Sequence, residues 1–194
     1  MTQPMETPTP QPIETHPFEP WLPKNARLLM LGTFPPAPKR WCMAWYYPNF
    51  QNDMWRIFGH VFFGDKLHFV DQEHKTFHLE ALKTFLAETG LRIRRTKNNA
   101  SDKDLEIVEQ ADIDGLLRQL PQCKGVLAAG QLATQVFMQH FGIKQMPKMG
   151  CFAEFTFEGR TLRLYRVPSS SRAYPMAVEK KAAFYQKMFD DVLR

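Results

Sequence analysis

Apolar residues recur at helical spacing along five stretches of the chain. In the first, they stand at positions 54, 57, 58, 61 and 62, which form one face of an α-helix from about residue 53 to 63. The same spacing predicts helices at 78–89, at 132–140 and at 176–194, and a short helix that carries Leu116, Leu117 and Leu120 and ends at Pro121.

Two continuous apolar runs predict strands that are buried on both faces. The first covers residues 27–31 and stops at Gly32, and the second covers residues 125–129 and stops at Gly130. Runs of this kind are typical of parallel strands that helices cover on both sides. Since helix patterns follow both runs, the sequence predicts a parallel sheet.

A hairpin pattern completes the predicted sheet. Apolar and polar residues alternate over 152–157 and over 161–167, on either side of Glu158 and Gly159. Pro168 ends the second strand because proline has no N–H to donate to a ladder. We therefore predict an α/β fold, a three-layer α/β/α sandwich whose central, mainly parallel sheet has about four strands.

Length and composition predict one domain behind a proline-rich tail. The chain has 194 residues, 44% of them hydrophobic, which is enough for a single sizeable core. Residues 1–23 are rich in proline and poor in large apolar groups, so we predict a mobile tail there and one domain over 24–194. Phe18, Trp21 and Leu22 could nevertheless dock on the domain, which leaves this boundary open.

Charge and cysteine content narrow the classes of function. The formal net charge of +5 favours a polyanionic partner. Cys42, Cys123 and Cys151 lie far apart without Cys-x-x-Cys spacing, so we expect no disulfide framework, no metal or iron–sulfur site and no cofactor. No apolar run approaches roughly 18 residues, and no signal-peptide pattern is present, so we expect a soluble, cytoplasmic protein without a membrane partner.

A cluster of basic residues has two interpretations. Arg92, Arg94, Arg95 and Lys97 follow the helix that is predicted at 78–89. Their side chains could contact phosphate groups of a nucleic acid. A solvated surface loop would account for the same residues equally well.

The segment before the first helix also has two interpretations. Asn52 and Asp53 stand where capping residues belong, so Asn52 could simply accept a backbone N–H. Alternatively, its amide projects from the helix start into a pocket walled by Tyr46 and Tyr47, where it could hold a water molecule or a flat polar ligand. The spacing by itself favours the cap.

Two loops follow strands of the predicted sheet at their carboxyl ends, where open α/β sheets bind ligands. The glycine loop is Gly32-Thr33-Phe34-Pro35-Pro36, and the serine loop is Pro168-Ser169-Ser170-Ser171-Arg172. Serine hydroxyls and backbone N–H groups near a helix entrance suit an anion. Serine and proline are equally common in ordinary turns.

These motifs, in this order, resemble those of the uracil-DNA glycosylase superfamily over roughly residues 26–190. The glycine loop is similar to the family's Gly-x-x-Pro-Gly turn, and the serine loop is similar to its Pro-Ser motif. The turn that starts at Gly130 also resembles one of the family. The nearest branches are the hypoxanthine-DNA glycosylases and the mismatch-specific uracil glycosylases, because the paired tyrosine, asparagine and tryptophan of the hypoxanthine branch match Tyr46, Tyr47, Asn52 and Trp55 without a gap.

The resemblance implies a monofunctional DNA glycosylase of base-excision repair, which flips a uracil- or hypoxanthine-class base out of the stack and hydrolyses its N-glycosidic bond. It implies that Asn52 orients the water and that Tyr47 stacks on the base. The base edge would meet Gly32, Thr33 and Phe34, and DNA would meet Pro168, Ser169, Ser170, Ser171 and Arg172. We expect a monomer that needs no metal or organic cofactor and binds DNA containing a damaged base.

Three departures from the family pattern favour an alternative function. Pro36 replaces the usual second glycine of the glycine loop, and Val167 stands where the fastest uracil glycosylases have histidine. Ser171 falls near the position of the bulky residue that fills the gap left by a flipped base, so Arg172 or Tyr174 would have to substitute for it. The chain could therefore be a DNA- or nucleotide-binding module that keeps the fold and has lost the chemistry.

Overall fold

Seven strands and four α-helices lie in the part of the chain that the structure describes. The structure, a computed structural model, describes residues 13–32, 34–70, 90–95 and 105–193, with the backbone alone at 90–95 and 105–109. In chain order the elements are β1 (Ile13–Thr15), β2 (Leu28–Leu31), a 3-10 helix (Pro38–Arg40), α1 (Met54–Phe63), β3 (Gly90–Arg95), β4 (Leu105–Gln110), α2 (Ile113–Gln119), β5 (Gly125–Ala128), α3 (Gln131–His140), β6 (Phe152–Phe157), β7 (Arg160–Tyr165) and α4 (Val178–Leu193).

The central sheet has four strands in the spatial order β2, β5, β7, β6. β2 lies parallel to β5, and β5 lies parallel to β7, whereas β6 and β7 form an antiparallel hairpin. Glu158 and Gly159 turn this hairpin with φ angles of 46° and 77°, the positive values that a tight turn between twisted strands requires. The prediction of a mainly parallel sheet of about four strands is confirmed.

Helices cover both faces of this sheet. Successive side chains of a strand point to opposite faces, so Leu29 and Leu31 pack with the apolar sides of α2 and α3. Leu28 and Met30 pack with the apolar sides of α1 and α4 on the other face. The predicted three-layer α/β/α sandwich is confirmed, and burial on both faces explains why the parallel strands are continuous apolar runs.

The helices occur close to where the apolar spacing predicts them. α1, α3 and α4 differ from their predicted limits by at most about two residues, the usual uncertainty of a helix end. The short leucine-containing helix is α2, and its start is capped by the Asp112 carboxylate, which accepts the N–H of Gly115 at 2.9 Å. The helix predicted at 78–89 lies outside the described residues. None of the described helices has the length and apolar character needed to cross a membrane.

A second sheet contains the basic cluster. β3 lies between β1 and β4, and both neighbours are antiparallel to it. Arg92, Arg94 and Arg95 therefore belong to a strand, and the prediction of a loop at these residues is wrong. Strand formation here depends on pairing with β4 and with β1, which is distant in the sequence, and local composition does not reveal such pairing. Lys97 lies outside the described residues.

The segment after β1 packs on the domain through aromatic side chains. The Phe18 ring centroid lies 5.2 Å from that of Trp41 and 5.6 Å from that of Tyr46. The Tyr46 hydroxyl also donates to the carbonyl oxygen of Glu19 at 2.6 Å. Within the tail that composition predicts over 1–23, residues 13–23 thus contain a paired strand and a docked Phe18, whereas residues 1–12 lie outside the described part.

Candidate functional site

A cavity of about 610 Å³ lies at the carboxyl ends of β2, β5 and β7. Its walls come from the glycine loop, from the segment before α1, from the turn between β5 and α3 and from the serine loop. Segments far apart in the sequence meet here because the parallel strands all end at one edge of the sheet. Of the residues that the sequence assigned to the site, the cavity is lined by Gly32, Phe34, Tyr47, Asn52, Ser169, Ser170, Ser171 and Arg172.

Two predicted site residues are not among those that line the cavity. Thr33 lies outside the described residues. Pro168 is buried, and its carbonyl oxygen accepts the Tyr185 hydroxyl at 3.2 Å. Pro168 therefore anchors the base of the serine loop to α4, and the structure does not bring it to the cavity surface.

The start of α1 and the serine loop are joined by backbone hydrogen bonds. The N–H of Asp53 donates to the carbonyl oxygen of Ser170 at 2.7 Å, and the N–H of Arg172 donates to that of Gln51 at 3.1 Å. Between these bonds, Asn52 stands opposite Ser171 in an isolated antiparallel bridge. The amide predicted to hold water and the loop predicted to hold phosphates thus share one rigid support.

Asn52 stands just before Asp53, the N-cap residue of α1, and it both accepts the first N–H of the helix and lines the cavity. Its Oδ1 accepts the N–H of Met54 at 2.9 Å, so the interpretation of Asn52 as an acceptor of a backbone N–H is confirmed. A carbonyl oxygen has two lone pairs, and the capping bond involves one of them and neither hydrogen of the NH2 group. The residue is half-buried at the cavity wall, which is compatible with a second role for the amide.

Sequence reasoning missed a buried ionic cluster beside Asn52, formed by Asp53, Arg56, Arg172 and Lys181. Asp53 Oδ2 accepts Lys181 Nζ at 3.0 Å, and Oδ1 accepts Arg172 Nε at 3.2 Å. A terminal nitrogen of Arg56 lies 3.6 Å from Oδ1. The cluster thus places three cations around a single carboxylate.

Most of the charged groups in this cluster are buried, which makes their interactions strong. Asp53 is 3% exposed, Arg56 is 4% exposed and Lys181 is fully buried. Burial lowers the pKa of the Arg56 guanidinium, the charge of Arg172 lowers it further, and Asp53 opposes both effects. The available sequence signal was Lys181, a charged residue within the apolar stripe of α4, since such a residue requires a buried counter-charge.

The cavity wall carries positive charge. Arg40 and Arg172 line it, and none of the other described residues around it is acidic or basic. The Arg172 side chain is 44% exposed, so it connects the buried cluster to solvent. A cavity with positively charged walls suits an anionic ligand.

Two unusual backbone conformations lie at the cavity wall. Tyr47 has a φ of 50°, a left-handed value that is uncommon for a residue with a side chain, and its ring meets the Trp55 ring edge to face at 6.4 Å. Gly130, at the start of α3, has a φ of 104° and a ψ of 163°, a combination that essentially requires glycine. Such strained positions cluster at functional sites in proteins generally.

A larger cavity of about 800 Å³ between β7 and α4 is less suited to chemistry. Of its two lining carboxylates, Asp191 accepts the Tyr165 hydroxyl and binds Arg163 through both oxygens at 2.9 Å, and Asp190 accepts the Gln186 amide at 3.0 Å. These partners engage one another, as in a structural ion pair, so the 610 Å³ cavity is the better candidate. Among the described residues, no group of three His, Cys, Asp or Glu side chains comes together as a metal site would require.

Comparison with solved structures agrees with the fold. The chain is similar to the solution NMR structure of a candidate uracil DNA glycosylase from Methanosarcina acetivorans, with a TM-score of 0.61 and 21% sequence identity over 94% of this chain and 99% of that one. No protein-family model matches the chain, and neither does any curated protein. At this level of identity, the likeness shows a shared fold.

Proposed function

We propose that this protein is a DNA glycosylase that hydrolyses the N-glycosidic bond of a deaminated or damaged base in DNA. The observation that carries the proposal is the convergence of Tyr47, Asn52 and Arg172 on one cavity at the carboxyl ends of the parallel strands. The shared fold with a candidate uracil DNA glycosylase supports it. In this proposal the substrate belongs to the uracil or hypoxanthine class, and the motifs around Tyr47 and Asn52 resemble those of the hypoxanthine and mismatch-specific branches of the superfamily.

The proposed chemistry takes place on a base that has left the DNA stack. As the glycosidic bond breaks, the sugar becomes similar to an oxocarbenium ion and negative charge grows on the base. Asn52 orients the attacking water through its amide without removing a proton, because an amide is not a useful base near neutral pH. Tyr47 stacks on the base, and positioned dipoles of the glycine loop stabilise the growing charge. Pro35 and Pro36 contribute no N–H to that loop.

The serine loop holds the DNA backbone in this proposal. The Ser169 hydroxyl oxygen accepts the N–H of Ser171 at 3.2 Å, and the Ser171 hydroxyl oxygen accepts the N–H of Ala173 at 3.2 Å. In these two bonds both hydroxyls act as acceptors, which leaves each O–H able to donate to a phosphate oxygen. Ser170 acts differently, since it is buried and its carbonyl oxygen ties the loop to Asp53.

The same proposal includes the oligomeric state of the protein, its location, its partner and its cofactor requirement. The protein acts as a monomer in the cytoplasm, as a monofunctional enzyme of base-excision repair. Its partner is DNA that contains a damaged base, and it uses neither a metal nor an organic cofactor. Water and residues of this chain supply the whole reaction.

A DNA-binding module without chemistry is the alternative. It is favoured by the capping bond from the Met54 N–H to Asn52, which by itself explains why an asparagine stands there. Pro36, Val167 and Ser171 also depart from the family pattern. Both functions require DNA binding, but only the glycosylase produces abasic sites.

Incubation with a panel of oligonucleotides separates the two functions. Each oligonucleotide carries uracil, hypoxanthine or xanthine at one position, in single-stranded and in duplex form, and alkali then cleaves any abasic site. We expect strand cleavage with at least one lesion and none with an undamaged oligonucleotide of the same sequence. Binding of the whole panel without cleavage of any member would favour the module.

A further inference from the structure

The ionic cluster runs from the core to the cavity surface. Lys181 and Arg56 are its buried end, and Arg172 is its exposed end, with Asp53 between them. The cluster has three formal positive charges and one negative charge, so Asp53 cannot neutralise all of its partners. A further anion would be stabilised at the end that solvent reaches, which is the Arg172 guanidinium.

Asp53 contacts Arg172 at one side of its guanidinium. The bond of 3.2 Å involves Nε, and the two terminal nitrogens lie beyond it on the same plane. Because the guanidinium is planar and rigid, a bond at Nε fixes the direction in which the terminal nitrogens point. An arginine held in this way loses less conformational entropy when it binds a phosphate than a freely rotating one does.

The same cluster holds the backbone on both sides of the cavity. Lys181 Nζ donates to the Ser171 carbonyl oxygen at 2.8 Å, which fixes the serine loop. Arg56 donates to the carbonyl oxygens of Phe50 at 3.0 Å and Asn52 at 3.3 Å, which fixes the segment before α1. Asp53 thus connects the support of the serine loop with the support of Asn52.

We propose that Asp53 is a positioning residue that aims the terminal nitrogens of Arg172 at a DNA phosphate while Lys181 and Arg56 hold Asp53 in place. This inference rests on the proposed function for the identity of the anion. Asp53 touches neither the base nor the phosphate, and it acts through Arg172. Its removal should therefore weaken DNA binding much more when Arg172 is present than when Arg172 is absent.

The test is a double-mutant cycle designed to reduce the buried charge that loses its partner; Arg56 keeps its bonds to the carbonyl oxygens of Phe50 and Asn52. Asp53→Asn alone would leave Lys181 buried without a counter-charge, so it is combined with Lys181→Met. This paired variant is made with Arg172 and with Arg172→Ala, and the dissociation constant for a short DNA duplex is measured at one salt concentration. We expect the pair to weaken binding about 10-fold with Arg172 present and less than about 2-fold with Arg172→Ala.

A surface ion pair of the same geometry is the matched control. Arg118 Nε donates to Glu158 Oε1 at 2.7 Å, on the opposite face of the sheet from α4. A cycle of Glu158→Gln and Arg118→Ala should leave DNA binding unchanged. Equal losses for the Asp53 pair in both Arg172 backgrounds would overturn the proposal, because the effect would then not pass through Arg172.

Two further measurements test the positioning role of Asp53 without the double-mutant cycle. The NMR order parameter of the Arg172 Nε–H group should fall below about 0.6 in the paired variant, and an unchanged value would overturn the positioning role. In the otherwise wild-type chain, Arg172→Lys should weaken DNA binding although it keeps the positive charge, because lysine has no planar guanidinium whose terminal nitrogens Asp53 could aim; wild-type affinity would overturn the positioning role. A wild-type protein that binds no DNA overturns the proposed function instead, and the order parameter still decides the role of Asp53.

Discussion

Asp53 donates its backbone N–H to the carbonyl oxygen of Ser170, and the two atoms lie 2.7 Å apart. This bond joins the first turn of α1 to the serine loop, although the two segments are far apart in the sequence. Both residues are buried, so solvent does not compete for the bond. The orientation of Asn52 and the position of the serine loop are consequently set together.

The stability of this junction depends on the balance of buried charge. Asp53→Asn leaves Lys181 and Arg56 buried without their carboxylate, and we expect the free energy of unfolding to fall by about 3–5 kcal/mol. Asp53→Asn combined with Lys181→Met removes one of the two buried cations and should recover part of that loss, because Arg56 stays buried without a carboxylate. Urea unfolding of the variants measures both effects, and a double variant no more stable than Asp53→Asn alone would contradict this account.

The salt dependence of DNA binding tests the exposed end of the cluster. If Arg172 contacts a phosphate, Arg172→Gln should reduce the slope of log K against log salt concentration by about one. Affinity should fall to a similar extent for all DNA sequences, since a phosphate contact carries no sequence information. Arg118→Gln, at an exposed arginine on α2, should leave the slope unchanged. An unchanged slope for Arg172→Gln would remove this residue from the interface.

Asp191 should stabilise the fold near neutral pH and lose this effect in acid. The hydrogen bond from Tyr165, and then the one from Arg163, lower the pKa of its carboxyl in the folded protein. The stabilisation is therefore complete above the unfolded pKa of about 4 and disappears as pH falls through the lower folded value.

Asp191→Asn measures this contribution. The Asp191 and Arg163 side chains are each 38% exposed, so solvent screens the pair, and the variant should lose less than about 1 kcal/mol near pH 7. The difference from wild type should shrink as the pH of the urea titrations falls to about 3. A constant difference for Asp191→Asn would contradict the shifted pKa.

The backbone at Gly130 should tolerate no side chain. Its φ of 104° and ψ of 163° lie in a region that is essentially restricted to glycine, so Gly130→Ala should cost about 1–3 kcal/mol of stability. Gly159, with a φ of 77° at the hairpin turn, is the control, because asparagine tolerates left-handed conformations and Gly159→Asn should cost less. Thermal unfolding compares the two, and equal losses would contradict this explanation.

Local patterns allowed most of the central fold to be predicted. The apolar runs that became β2 and β5 are buried on both faces, and the spacing that predicted α1 reports which side of a helix faces the core. The proximity of the two loops also followed from sequence, because parallel strands end at one edge of a sheet. These features depend on short stretches of chain and on a general rule of topology.

Features that depend on distant partners were not predicted. β3 is a strand because β1 and β4 pair with it, and its alternating arginines gave no local sign of that pairing. Asp53 was interpreted as a helix cap, and it does stand at the N-cap position of α1, but its carboxylate makes no capping bond and binds Lys181 and Arg172 across the domain. The sequence shows that a charged residue stands on an apolar stripe, but it does not show which opposite charge will meet it.

Asn52→Ser separates the capping role of Asn52 from its proposed catalytic role. Serine can accept the Met54 N–H, so the variant should unfold near the wild-type temperature and still bind lesion DNA. Its shorter hydroxyl cannot reproduce the amide's placement of water. Asn52→Ala is a poorer choice, because the lost cap by itself costs about 0.5–2 kcal/mol.

The rate of abasic-site formation under single-turnover conditions, compared between wild type and Asn52→Ser, tests the central claim most directly. We expect the wild type to excise at least one lesion and Asn52→Ser to excise it at least ~100-fold more slowly, the scale on which one preorganised polar group acts. Equal rates would show that Asn52 only caps α1 and would move the catalytic assignment to Asn49, whose Oδ1 accepts the Gln51 N–H at 2.8 Å. A wild-type protein that forms no abasic site on any lesion would contradict the glycosylase itself.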